Sequence, residues 1–102
     1  MSMGACYVTA RIRAFSGKGE ALQKIMLRNI PLVRKEEGCL RYELLRAPDN
    51  PDLLMFNETW RDRKALEAHL STPHMLRYRE ETAPFIEERE LYIWEPVDCG
   101  EK

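Results

Sequence analysis

Cys39-Leu40-Arg41-Tyr42-Glu43-Leu44-Leu45-Arg46, then Pro48-Asp49-Asn50-Pro51-Asp52, then Leu53-Leu54-Met55-Phe56-Asn57-Glu58-Thr59-Trp60 reads as a strand, a turn and a second strand. The five residues from Pro48 to Asp52 are all turn formers, so the flanking runs pair antiparallel as a hairpin. Upstream, Leu22, Ile25, Met26, Ile30 and Val33 recur at helical spacing, with Lys24, Arg28 and Arg34 on other faces. The spacing predicts a helix that ends at Gly38, where glycine can take the left-handed conformation, and that bends near Leu27 to Pro31 because Pro31 lacks a donor. Ser16-Gly17-Lys18-Gly19 is a turn, and before it Cys6 to Phe15 alternates apolar and polar as a strand with one buried face.

Downstream, Asp62 is a good N-cap for a helix carrying Leu66, His69 and Leu70 on one stripe. Thr72-Pro73 repeats the start signal, so a further helical piece runs through Met75 and Tyr78 to about Thr82. Pro84 ends it, and Glu90 to Glu95 alternates as a last strand. The order is β-α-β-β-α-β, an α+β ferredoxin-like sandwich. Helices packed on one face leave the other open, and that face would carry Tyr7, Thr9, Phe15, Tyr92 and Trp94. An exposed aromatic patch calls for a cover, and a second copy of the chain is the simplest one, so a homodimer is expected.

The chain has 102 residues, enough for one domain over residues 1–102 with a core at about 7–96. With Lys+Arg 16 against Asp+Glu 17, net charge −1, it offers no long-range attraction to nucleic acid or to an anionic membrane. No signal peptide opens it and no apolar run reaches the roughly 20 residues of a membrane span. Cys6, Cys39 and Cys99 have neither metal-like nor disulfide-like spacing, which fits reduced thiols in the cytoplasm.

No glycine-rich phosphate loop, G-x-S-x-G or zinc spacing is present, so no metal site is expected and the candidates are polar residues on apolar faces. Asn29 shares the helical stripe with Met26 and Val33: it is either a buried amide bonding backbone near Pro31 or a group facing a cavity. His69, between Leu66 and Leu70, is either a satisfied core residue or a base. His74, in the first turn of the next helical piece, sits where a helix N-terminus disfavours imidazolium and keeps a neutral, proton-accepting ring. Five residues apart, the two histidines make a poor metal pair. On the third strand Glu58 and Trp60 share a face with Leu54 and Phe56, and Asn57 points the other way. A buried Glu needs a partner, and the simplest is Arg11 or Arg13 across the sheet, the alternative being a role in a site. Trp60 is simplest as core or interface, and Arg77 and Arg79 as a solvated helical face.

Glu36-Glu37-Gly38-Cys39-Leu40-Arg41-Tyr42, Asn57-Glu58-Thr59-Trp60 and Ala68-His69-Leu70-Ser71-Thr72-Pro73-His74-Met75 together resemble the antibiotic biosynthesis monooxygenase family, in particular its quinol monooxygenase branch. The resemblance covers about residues 7–96. It implies a dimeric α+β barrel and oxidation of a phenolic or quinol substrate by molecular oxygen without metal or flavin. It casts His69 or His74 as the base, Asn29 as hydrogen-bond donor, and Trp60, Glu58, Asn57, Tyr78 and Phe85 as substrate-binding residues. The chain is also similar, at Asn29, Glu36-Glu37-Gly38 and His69-x-x-Thr72-Pro73-His74, to the isomerase of phosphorylated autoinducer-2, so an isomerase or tautomerase using the same histidines is the alternative. A non-catalytic small-molecule binder or stress protein is a third. The haem-degrading branch has a different pattern from Ala10, His69 and Arg79, which argues against haem.

Overall fold

The structure is a computed structural model that describes residues 4–98 and 100. Cys99 lies outside the described residues, and Cys6 and Cys39 are free thiols. β1 (Cys6–Ala14) is a central strand because its even-numbered residues, Cys6, Val8, Ala10, Ile12 and Ala14, are all buried. α1 (Gly19–Arg34) packs Leu22, Met26, Ile30 and Val33 onto the sheet. Its first residue must be glycine, since a Cβ on Gly19 would stand 2.0 Å from the Pro51 carbonyl oxygen. The Gly17 and Gly19 amides both donate to the Asp52 carboxylate, which ties this turn to the start of the hairpin's second strand.

β2 (Cys39–Ala47) and β3 (Asn50–Trp60) form the expected antiparallel hairpin. The turn is tighter than the five turn-forming residues indicate: only Pro48 and Asp49 lie outside the strands, and Asn50, Pro51 and Asp52 begin β3. α1 also stops earlier than Gly38, at Arg34. Gly38 has φ 105° and precedes β2, where a Cβ would meet that of Ala65 at 2.5 Å. Its left-handed backbone and its bareness serve the approach of the next helix rather than the end of α1.

α2 (Arg63–Leu70) is capped by Asp62, which accepts from the Ala65 amide, and α3 (Pro73–Thr82) by Thr72, which accepts from the Met75 amide. A 3-10 turn, Ala83–Phe85, leads into β4 (Ile86–Trp94). β4 starts four residues before the predicted Glu90 because Glu88 and Glu90 pair in register with Arg13 and Arg11 of β1. Opposite charge across the strands holds that segment, where an apolar alternation is absent. The four-stranded antiparallel sheet has the order β2-β3-β1-β4, with the helices on one face: a ferredoxin-like α+β fold. Tyr7, Phe15, Tyr92 and Trp94 stand 40–52 % exposed, and Trp94 Nε1 donates to Thr9 Oγ1 on the open face. Among the described residues no helix is long and apolar enough to cross a membrane.

Candidate active site

Glu36 follows α1, His69 lies in the last turn of α2 and His74 in the first turn of α3. The break at Thr72-Pro73 turns the chain so that both imidazoles meet the one carboxylate. His69 Nδ1 lies 3.0 and 3.1 Å from the two Glu36 oxygens, and His74 Nε2 lies 2.6 Å from Oε2. His69 is 2 % exposed, its ring 4.4 Å from that of Trp60 and 5.7 Å from that of Tyr42. Burial pushes its pKa below the ordinary histidine value, outweighing the opposite pull of Glu36. The ring is therefore neutral near pH 7. With Nδ1–H donating to Glu36, Nε2 carries the lone pair.

A small cavity of about 60 Å³ lies between the sheet and the α2–α3 pair. Ile12, Phe56 and Leu66 supply apolar wall, and Glu58, His69 and Tyr78 supply polar groups. Glu58 is 5 % exposed, and its Oε1 accepts from Trp60 Nε1 at 2.9 Å. The expected ion pair with Arg11 or Arg13 does not form. In the β1–β3 register Val8 lies opposite Glu58, which puts Glu58 on the helix side, while Arg11 and Arg13 face the open side and pair with Glu90 and Glu88. With no cation paired to it, the Glu58 carboxyl is pushed up to about 7 by burial. The Tyr78 hydroxyl is enclosed without a hydrogen-bond partner among the described residues, and burial raises its pKa.

None of the other predicted site residues lines the cavity. Asn29 is buried, but its amide donates to Met75 Sδ at 3.4 Å, which fixes α1 to α3 and keeps it off the cavity wall. His74 does not line the cavity either. Trp60 lies behind His69, fully buried, and Phe85 packs at the core's edge with its carbonyl accepting from the Phe15 amide. Asn57 is on the opposite face, bonded to Glu43. Arg77 is exposed as expected, but Arg79 is half-buried at the cavity wall and its guanidinium donates to the Leu70 carbonyl at the end of α2. Glu36 is the residue that sequence reasoning missed. Its signal was an acidic pair ahead of a strand, which reads as turn and solvent, and only the fold shows two histidines converging on it. Among the described residues no group of three His, Cys, Asp or Glu side chains is placed to hold a metal ion.

The profile of the antibiotic biosynthesis monooxygenases matches residues 5–81. The chain belongs to that family. It is 32% identical over 99 residues to the probable quinol monooxygenase YgiN of Escherichia coli, covering 87% of this chain and 95% of that protein. Among solved structures, PA3566 from Pseudomonas aeruginosa superposes with a TM-score of 0.88 at 28% identity, over 96% of this chain and 100% of the other. Rv0793 from Mycobacterium tuberculosis does so with a TM-score of 0.86 at 27% identity, again over 96% and 100%. Within this antibiotic biosynthesis monooxygenase domain the matched segment holds Glu36, Glu58, His69, His74 and Tyr78, and the 3-10 turn and β4 fall beyond it.

Proposed function

We propose that the protein is a cofactor-independent monooxygenase that oxidises a phenolic or quinol-type small molecule with molecular oxygen. The observation that carries this reading is His69: a buried neutral imidazole, anchored through Nδ1 on Glu36 and bordering an apolar cavity. Its Nε2, with no hydrogen bond to a described residue, is fitted to take the proton of a bound hydroxyl. The resulting electron-rich anion reduces oxygen itself, in a cavity dry enough that water does not quench it. In this scheme His74 holds Glu36 in place, Asn29 sets the α1–α3 spacing through Met75, and the Tyr78 hydroxyl is the group left to bond a substrate oxygen. Glu58 is a second cavity group, and Trp60 backs the His69 ring. A homodimer closing over Tyr7, Phe15, Tyr92 and Trp94 belongs to the same reading, supported by the exposure of those rings.

The test is oxygen uptake across a panel of hydroquinones, naphthoquinols and catechols, each with and without a chelator. Uptake that requires the protein and survives chelation is expected. A protein that consumes no oxygen with any of them, yet isomerises a small hydroxyketone through the same histidines, would replace this reading with the isomerase one. Ligand binding with neither activity would make it a binding protein.

A further inference from the structure

The cavity holds a second ionisable group whose chemistry the base does not use. Glu58 reaches it from β3, and Trp60 joins the two: its indole N–H donates to Glu58 Oε1 at 2.9 Å while its ring lies 4.4 Å from His69. Glu58 Oε2 has no hydrogen bond to any described residue. Around the carboxyl stand the Cys6 thiol from β1, Cys39 and Tyr42 from β2, His69 from α2, Tyr78 from α3 and, further off, Glu36. None of these is a cation near pH 7, and Arg79 and Arg89, at the cavity wall, form no ion pair with Glu58. A carboxyl so placed keeps its proton near neutrality and can give it up to a bound molecule.

Resting on the monooxygenase reading, we infer that the Glu58 carboxyl is the proton donor of the second half-reaction, in which the oxygen–oxygen bond breaks and water leaves. In the first half, His69 Nε2 takes the phenolic proton and the anion adds oxygen at a ring carbon. The imidazolium then protonates the peroxide, giving a hydroperoxide and restoring neutral His69. In the second half the oxygen–oxygen bond breaks. The ring-bound oxygen becomes the new carbonyl as its carbon loses hydrogen as a proton. The distal oxygen departs as water with the proton of Glu58, and Glu58 regains the proton released by the carbon. One phenol and one oxygen molecule become one quinone and one water. The two groups are suited to these halves because burial moves them apart from their usual order: His69 is free to accept where Glu58 is still able to donate.

The experiment pairs infrared spectroscopy with kinetics on Glu58→Gln, a change that keeps an acceptor for the Trp60 indole. Wild-type protein titrated across neutral pH should show a protonated-carboxyl band that E58Q lacks, and hydroquinone added under nitrogen should shift it. In air, wild type should lose activity above about pH 7 as Glu58 ionises, and E58Q should turn over about 10²-fold more slowly with that alkaline limb gone. Oxygen uptake by E58Q at the wild-type rate and with the same alkaline limb overturns the donor role while the monooxygenase reading stands. A band that responds to hydroquinone in a wild-type protein consuming no oxygen overturns both, and a band indifferent to hydroquinone overturns the placement of Glu58 in the site.

Discussion

The two faces of the sheet treat carboxylates in opposite ways. On the open face Glu88 and Glu90 of β4 lie opposite Arg13 and Arg11 of β1 and pair with them in partial contact with water, Arg11 to Glu90 at 2.6 Å. On the covered face Glu58 has an indole N–H, two tyrosines nearby and no arginine paired with it. The two arrangements meet at β1, which pairs with β4 on one side and β3 on the other, and parity sends its arginines to the open face and Val8, opposite Glu58, to the covered one. Ion pairs in water contribute little, typically 0–1 kcal/mol, whereas a carboxyl buried without a cation answers by keeping its proton. The open face thus holds its carboxylates in exposed pairs, and the covered face holds one whose protonation burial controls.

The sharpest way to break this contrast is His69→Asn. It should lower turnover by about 10²–10⁴-fold through loss of the base, read with an oxygen electrode. Because His69 is 2 % exposed and bonded to Glu36, the same variant should also lose about 1–3 kcal/mol of stability, read by thermal melting. A variant with intact turnover would leave the covered face as mere core. Wild-type activity should rise with pH through an ionisation below 6.5, since burial lowers the His69 pKa.

Glu58→Gln tests the same face through stability. The folded carboxyl titrates at about 7 instead of 4.5, so the folded state binds more protons than the unfolded one between those values. Stability from this group is fully present below pH 4.5 and is lost as pH rises through 7, by about 3 kcal/mol at most. E58Q should therefore be more stable than wild type at pH 8 and should match it at pH 5, as measured by denaturant unfolding at both values.

On the open face the expected effects are smaller. Trp94→Lys should turn a particle of twice the 12.0 kDa chain mass into a single chain in sedimentation at micromolar concentration, with the fold retained by circular dichroism. Wild-type protein sedimenting as a single chain would remove the dimer and leave the aromatic face unexplained. Arg13→Gln should change stability by less than about 1 kcal/mol, and less still at high salt, because its partners are exposed. A larger loss would mean that these charge pairs contribute more to β4 than exposed ion pairs ordinarily do.

The alternation in Cys6–Ala14, the turn formers after Ala47 and the two N-caps at Asp62 and Thr72 were legible in the sequence because each is a local preference acting over a few residues. So were the inward faces of Glu58 and Trp60, which follow from a period of two. The true start of β4 was not, since Ile86–Arg89 is held by arginines on a strand more than 70 residues away. Nor was the pairing of Glu58: parity fixes which side of a strand a residue takes, but only the register between β1 and β3 decides that Arg11 and Arg13 take the other. Glu36 is the extreme case. As sequence it is one glutamate of a solvated turn, and it becomes the hub of two imidazoles only when α1 lies against α2 and α3, 33 and 38 residues further on. The sequence alone determined the order of the elements and the family, because local propensity and motif survive without contacts. The tertiary structure alone decided which polar groups are left in the dark without partners, because burial and pairing are properties of the packed chain.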